Sequence, residues 1–344
     1  MKVNRMYLTD IFKCYSTTAM MIEGELTAIF ATESQGPAYS FRGKNFEKQE
    51  TVWEGPGGTM SIVPIPGRSQ EFLAVQEFFP TFNAPESVIV WGKYDDGQWN
   101  IQKFIDLPYV HRFDLLEVEG VIYFVAGTLA TSKKDKEDWS DPGKILVGIL
   151  PESADQPMEL TAIQEKLTRH HGYSRGYWNG NRVGFFTADE GIYVATPPHA
   201  GQPEWNVEKL LDGRVSDVFV FDVDEDGEDE MITIEPFHGN EFNIRKFNGE
   251  TYEKIFSYPH ELDFAHVVWA GLFNGKPTIF GAARRVNKEL FMIRYNKETK
   301  QYDVTEIERG GGPSNIFVVN QPDGDLILCA NREVGEAIIY KIEE

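Results

Sequence analysis

The chain is poor in cysteine, in positive charge, in long apolar runs and in helical periodicity. Each shortage removes a class of function. Its two cysteines, Cys14 and Cys329, cannot build a disulfide framework, and free thiols in a reducing cytoplasm are the expectation. Lys and Arg number 33 against 54 Asp and Glu, a formal charge of −21. No basic field exists to collect phosphates, so neither nucleic acid nor an anionic membrane surface is an expected partner. The longest apolar runs, such as Ile145–Leu150, are far too short to span a bilayer. The N-terminus, MKVNRMYLTD, lacks the apolar centre of a secretory signal. Several familiar chemistries are missing as motifs: G-x-S-x-G, Walker A, H-E-x-x-H and C-x-x-C. The glycine run from Arg309 to Pro313 does not open a helix and makes a poor phosphate loop. No Ser/Gly/Pro-rich linker divides the sequence, and a single domain over residues 1–344 is expected.

What is present is a repeat. The best helical candidate, Leu160–Thr168, is short and reads equally well as a strand. The rest is short β runs punctuated by tight-turn dipeptides. Seven of these, Glu23-Gly24, Pro66-Gly67, Glu119-Gly120, Asn179-Gly180, Asp226-Gly227, Asn274-Gly275 and Asp323-Gly324, have an apolar strand on both sides. Their spacing runs from 43 to 60 residues. Mostly polar strands carrying an aromatic recur between them, from Trp99, Trp205, Tyr252 and Tyr302. A period of about 49 residues with four strands per unit predicts an all-β, seven-bladed β-propeller. A two-sheet sandwich and an eight-bladed ring are the competing architectures. After Asp323-Gly324 the chain supplies only two more strands, while the N-terminus begins with an orphan polar strand, VNRMYLTDIF. Pairing that strand with the C-terminal blade closes the ring and removes an open edge.

Propeller geometry then locates a site. With strands named A to D from the axis outward, the loops leading into A and those joining B to C share one face. Nine residues before each turn glycine stand Tyr15, Gly58, His111, His171, His266 and Asn315; an offset of eleven gives Ser216 in the blade with the longer turn. Three of the seven histidines in the chain thus share one structural position. A His111–His171–His266 set that binds a divalent metal or handles protons is the expectation, the alternative being a wet channel lined by polar residues. Tyr173, Arg112 and His238 are the neighbouring candidates for proton transfer and charge stabilisation. Strand B ends near Glu77, Glu235, Arg284 and Arg332, which are candidate substrate-binding groups; Arg suits bidentate capture of a carboxylate. The long B–C loop of the third blade, Leu129–Lys144, carries Trp139, which is expected to lie over the channel and stack on a sugar ring or another flat apolar face, the alternative being a flexible surface excursion.

One stretch carries a family resemblance. In FDVDEDGEDEMITI, Asp222, Asp224 and Asp226 alternate and Glu230 follows. This resembles the Asp-rich turn of FG-GAP and VCBS propeller repeats. The spacing can wrap oxygen ligands around Ca²⁺, the alternative being an acidic solvated hairpin. Such a calcium is expected to be structural, because the A–B turn lies on the face away from the loops.

The architecture resembles that of propeller lyases and sugar dehydratases. The resemblance implies a carbohydrate-active enzyme in which a metal at the channel mouth polarises a uronate carboxylate or keto group while a nearby base takes a proton. The ligand would be a small molecule or an oligosaccharide. The alternative is a non-catalytic ligand-binding or protein-interaction propeller.

Overall fold

The computed structural model describes residues 1–343. All seven dipeptides fall between paired antiparallel strands. Four of them, Glu23-Gly24, Glu119-Gly120, Asn179-Gly180 and Asn274-Gly275, share one geometry: Glu23 and Gly24 have φ of 51° and 81°, and Asn179 and Gly180 have 50° and 78°. Two successive left-handed residues make the turn whose twist matches that of the flanking strands. The second position favours glycine because a Cβ there is strained.

Seven sheets surround one axis, each a blade of four antiparallel strands. The innermost strands are Cys14–Ile22, Ile62–Pro64, Val110–Val118, Tyr173–Trp178, Asp217–Phe221, Asp263–Phe273 and Pro313–Val319. The third blade adds a short strand, Ala130–Ser132, inside its long loop. None of the described residues is helical, and no helix crosses a membrane. Leu160–Thr168 resolves as the strand Thr161–Leu167, the outer strand of the third blade. The aromatic-bearing polar segments are outer strands too: Gln98–Asp106, Asn206–Leu211, Tyr252–Ser257 and Gln301–Glu308.

The core lies between blades, not within them. Seven clusters of buried side chains form, one at each junction. Phe72, for example, packs with Ile29 of the first blade, and Tyr340 with Phe280 of the sixth. Both faces of each inner strand are therefore covered, and a lone blade would expose both. The ring closes through the N-terminus. Lys2–Asp10 pairs antiparallel with Glu336–Glu343, from Lys2 opposite Glu343 to Asp10 opposite Glu336. Val3, Met6 and Leu8 pack into the junctions on either side, so the last blade takes its fourth, outer strand from the other end of the chain.

Candidate functional site

The shared register of the histidines brings them to the axis. His111, His171 and His266 lie at or just before the start of inner strands and are 0%, 1% and 3% exposed. His238 joins them from the B–C loop of the fifth blade. The ring nitrogens of His171, His238 and His266 lie within 4.8 Å of one another. His111 lies beside this group, with its ring centroid 4.3 Å from that of His171. The three-membered cluster thus contains His238 where His111 was expected. Strand register brings His111 to the axis, but only a loop can lay an imidazole across it.

Hydrogen bonding fixes the tautomers. His111 Nδ1 meets the carbonyl of His171 at 3.3 Å, His171 Nδ1 meets Asp217 Oδ2 at 3.0 Å, and His266 Nδ1 meets the carbonyl of Ser314 at 2.7 Å. Carbonyl and carboxylate oxygens only accept, so each Nδ1 carries the proton and donates it. Each Nε2 then presents a lone pair to the interior. Tyr15 Oη sits between two of them, 3.3 Å from His266 Nε2 and 3.5 Å from His111 Nε2. Burial pushes this phenol up to about 12, so it stays a donor. His238 Nε2 lies 2.9 Å from His171 Nε2 and must donate in that contact, because the proton of His171 is on Nδ1. Burial first, and then neighbouring positive charge, holds His111, His238 and His266 well below the usual imidazole value. Neutral imidazole is the form that ligates metal, and an Nδ1–H held by a carboxylate or carbonyl is the usual support of a metal-binding histidine.

The loop face is not an open mouth. Phe82, Phe237 and Phe264 roof the histidines. Phe237 and Phe264 stack on His238 at 4.2 and 4.3 Å, and Phe82 meets it edge-on at 5.6 Å. Trp139 extends the roof against Phe237 at 5.6 Å, with Lys133 Nζ 3.3 Å above the indole. Apolar loop residues pack over apolar ring faces, because that removes both from water. Phe82, His238 and Phe264 adopt left-handed φ of 66°, 45° and 59°. Strained non-glycine backbone of this kind gathers at sites where a side chain must be aimed. The roof left no mark in the sequence, since loop aromatics have no periodicity.

The other anticipated residues are placed differently. Arg284 and Arg332 share the Glu333 carboxylate, each at 2.9 Å, and Arg332 also contacts Glu33. Glu235 holds Arg245 through two bonds of 2.9 and 2.8 Å. These charges pair among themselves and pin the loops, whereas they were expected to face a ligand. The reason is that opposite charges crowded on neighbouring loop ends neutralise one another first. Glu77 is half-buried on the same side, with a left-handed φ of 60°. Arg112 and Tyr173 line the axial channel beyond the histidines. Tyr173 stands near Asp114; burial, reinforced by that carboxylate, holds its phenol well above 10. Asp217, which aims His171, was missed; its signal was its place directly after Ser216 at the start of an inner strand.

At the Asp-rich turn, Asp222, Asp224 and Asp226 bring carboxylate oxygens within 4.8 Å of one another. Lys246 Nζ reaches Asp224, Asp226 and Glu230 at 2.8, 2.7 and 2.6 Å. An ammonium from the neighbouring strand thus stands among the carboxylates expected to hold calcium.

No known protein-family model matches the chain, and no curated protein matches it. The FG-GAP/VCBS resemblance therefore stays confined to one turn. Among solved structures, the chain is similar to a putative 6-phosphogluconolactonase from Bacteroides fragilis, with a TM-score of 0.61 and 13% identity over 93% of this chain and 92% of that one. At that identity the likeness establishes the fold: this chain is a seven-bladed β-propeller.

Proposed function

We propose that the chain is a metal-dependent enzyme acting on a sugar acid, of lyase or dehydratase type, with His171, His238 and His266 as the ligands. One observation carries the reading: the inward-facing imidazole nitrogens of His171 and His266, whose partner nitrogens are tied to oxygen acceptors, with a ring nitrogen of His238 within 4.8 Å of both. A bound divalent cation would polarise the carboxylate of the substrate and acidify the adjacent C–H. His238 gives up its contact with His171 Nε2 by shifting its proton to Nδ1. His111, left outside the ligand set with its Nε2 lone pair inward, takes the proton from carbon. The β C–O bond breaks as the double bond forms, and the leaving oxygen takes a proton from the neutral phenol of Tyr173.

The likeness to the Bacteroides protein favours a second reading on the same centre, hydrolysis of a sugar lactone. Products separate the two: elimination gives an unsaturated sugar that absorbs in the ultraviolet, and hydrolysis gives only an acid. The first test is metal content after loading with Zn²⁺ or Mn²⁺. One equivalent is expected, lost in His171→Ala and in His266→Ala. A protein that holds no stoichiometric divalent ion refutes the proposal.

A further inference from the structure

The histidines are roofed on the loop side, so any ligand must reach them another way. The axis of the ring holds a cavity of about 830 Å³, within the range of ligand sites. Its walls run the length of the inner strands, from Arg112 and His266 at the histidine end to Glu117 and Val318 beside the A–B turns. None of the roofing residues Phe82, Trp139, Phe237 and Phe264 lines it. At about 3.3 Å per strand residue, the path from Arg112 to Glu117 is about 17 Å long.

One feature of this wall points to a ligand. Arg112 lines the cavity and has no carboxylate partner among the described residues; its guanidinium donates to the Met60 carbonyl at 3.2 Å. Arg175, Arg245, Arg284 and Arg332 are all ion-paired. Arg112, partly buried in the wall of the channel, is therefore available to an anion that enters it.

We infer that the axial channel, entered from the A–B turn side, binds a sugar acid with its carboxylate on Arg112. This deepens the function proposed above by naming the anion-binding residue and the route, and it rests on that reading for the sugar.

The test is calorimetric titration of the full chain with D-glucuronate, D-galacturonate, D-glucose, D-galactose and inorganic phosphate, with and without Zn²⁺. A sugar acid is expected to bind at least tenfold more tightly than its neutral counterpart. Arg112→Gln should lose tenfold or more, and Arg112→Lys less. The route is tested by Glu117→Cys and Thr131→Cys, at opposite ends of the third blade, each capped with a bulky maleimide; both native cysteines are buried. Blockade from position 117 and not from 131 supports the channel, and this pair decides the route even if Arg112→Gln fails to fold. Absence of sugar-acid binding, equal affinity for acid and neutral sugar, binding of phosphate alone, or blockade only from position 131 overturns the inference. Sugar-acid binding that persists in a protein unable to hold metal refutes the metal-dependent reading and leaves this one standing.

Discussion

Lys246→Met tests whether an ammonium takes the place of a cation in the Asp-rich turn. In the native chain Lys246 Nζ contacts three carboxylates within 2.8 Å. The side chain of Glu230 is 0% exposed and that of Asp224 13%, whereas Asp226 is 48% exposed and contributes little. Removing the ammonium strands the Glu230 carboxylate in a dry site. Breaking a buried pair from one side costs about 3–5 kcal/mol, and the 20% exposure of Lys246 puts this case near 3. A chain of 344 residues unfolds with an entropy of about 0.7 kcal/mol/K, so the melting temperature should fall by about 4 °C. Adding Glu230→Gln should recover part of the loss. The variant also exposes four carboxylates to solvent cations. Ca²⁺ at a hundredfold excess over its dissociation constant should restore about 2.7 kcal/mol in Lys246→Met and do little for the native chain. Differential scanning calorimetry with and without Ca²⁺ reads both effects. A Lys246→Met protein melting within about 1 °C of native without calcium, or a native chain equally stabilised by calcium, would refute the reasoning.

Other expectations follow from the same geometry. Deleting residues 1–10 removes the partner of Glu336–Glu343 and should drive the protein into aggregates on size exclusion; an elution profile and melting temperature unchanged from native would contradict ring closure. Asp217→Asn should weaken divalent-metal binding 10–100-fold by calorimetry, because the Nδ1–H of His171 loses its anionic acceptor; unchanged affinity would remove Asp217 from the site. Burial beside Trp139 pushes the Lys133 amine down from 10.5 to about 8. In an NMR titration it should therefore lose its proton ahead of the other lysines, around pH 8, and Trp139→Ala should abolish the difference. Because the unfolded chain holds that proton more tightly between pH 8 and 10.5, this lysine makes stability rise with pH across that window.

The fold was legible in the sequence because its controlling signals are local. A turn such as Asn179-Gly180 needs two left-handed residues wherever it occurs, and alternation of apolar side chains follows from the strand itself. Counting from those turns brought His111, His171 and His266 to the axis, since strand register is a matter of residue number. Tertiary structure decided what register cannot reach. The loop between Glu235 and Glu241 swings His238 into the cluster and Phe237 over it; no spacing encodes that path. Charges read one at a time, such as Arg284, Arg332 and Glu235, looked free to meet a ligand, yet they find partners in neighbouring blades or strands. Lys246 lies twenty residues beyond Asp226 and meets it only because adjacent strands pair. The roof over the histidines depends on how aromatic residues from four blades pack against one another, and that is settled only when all seven blades have closed.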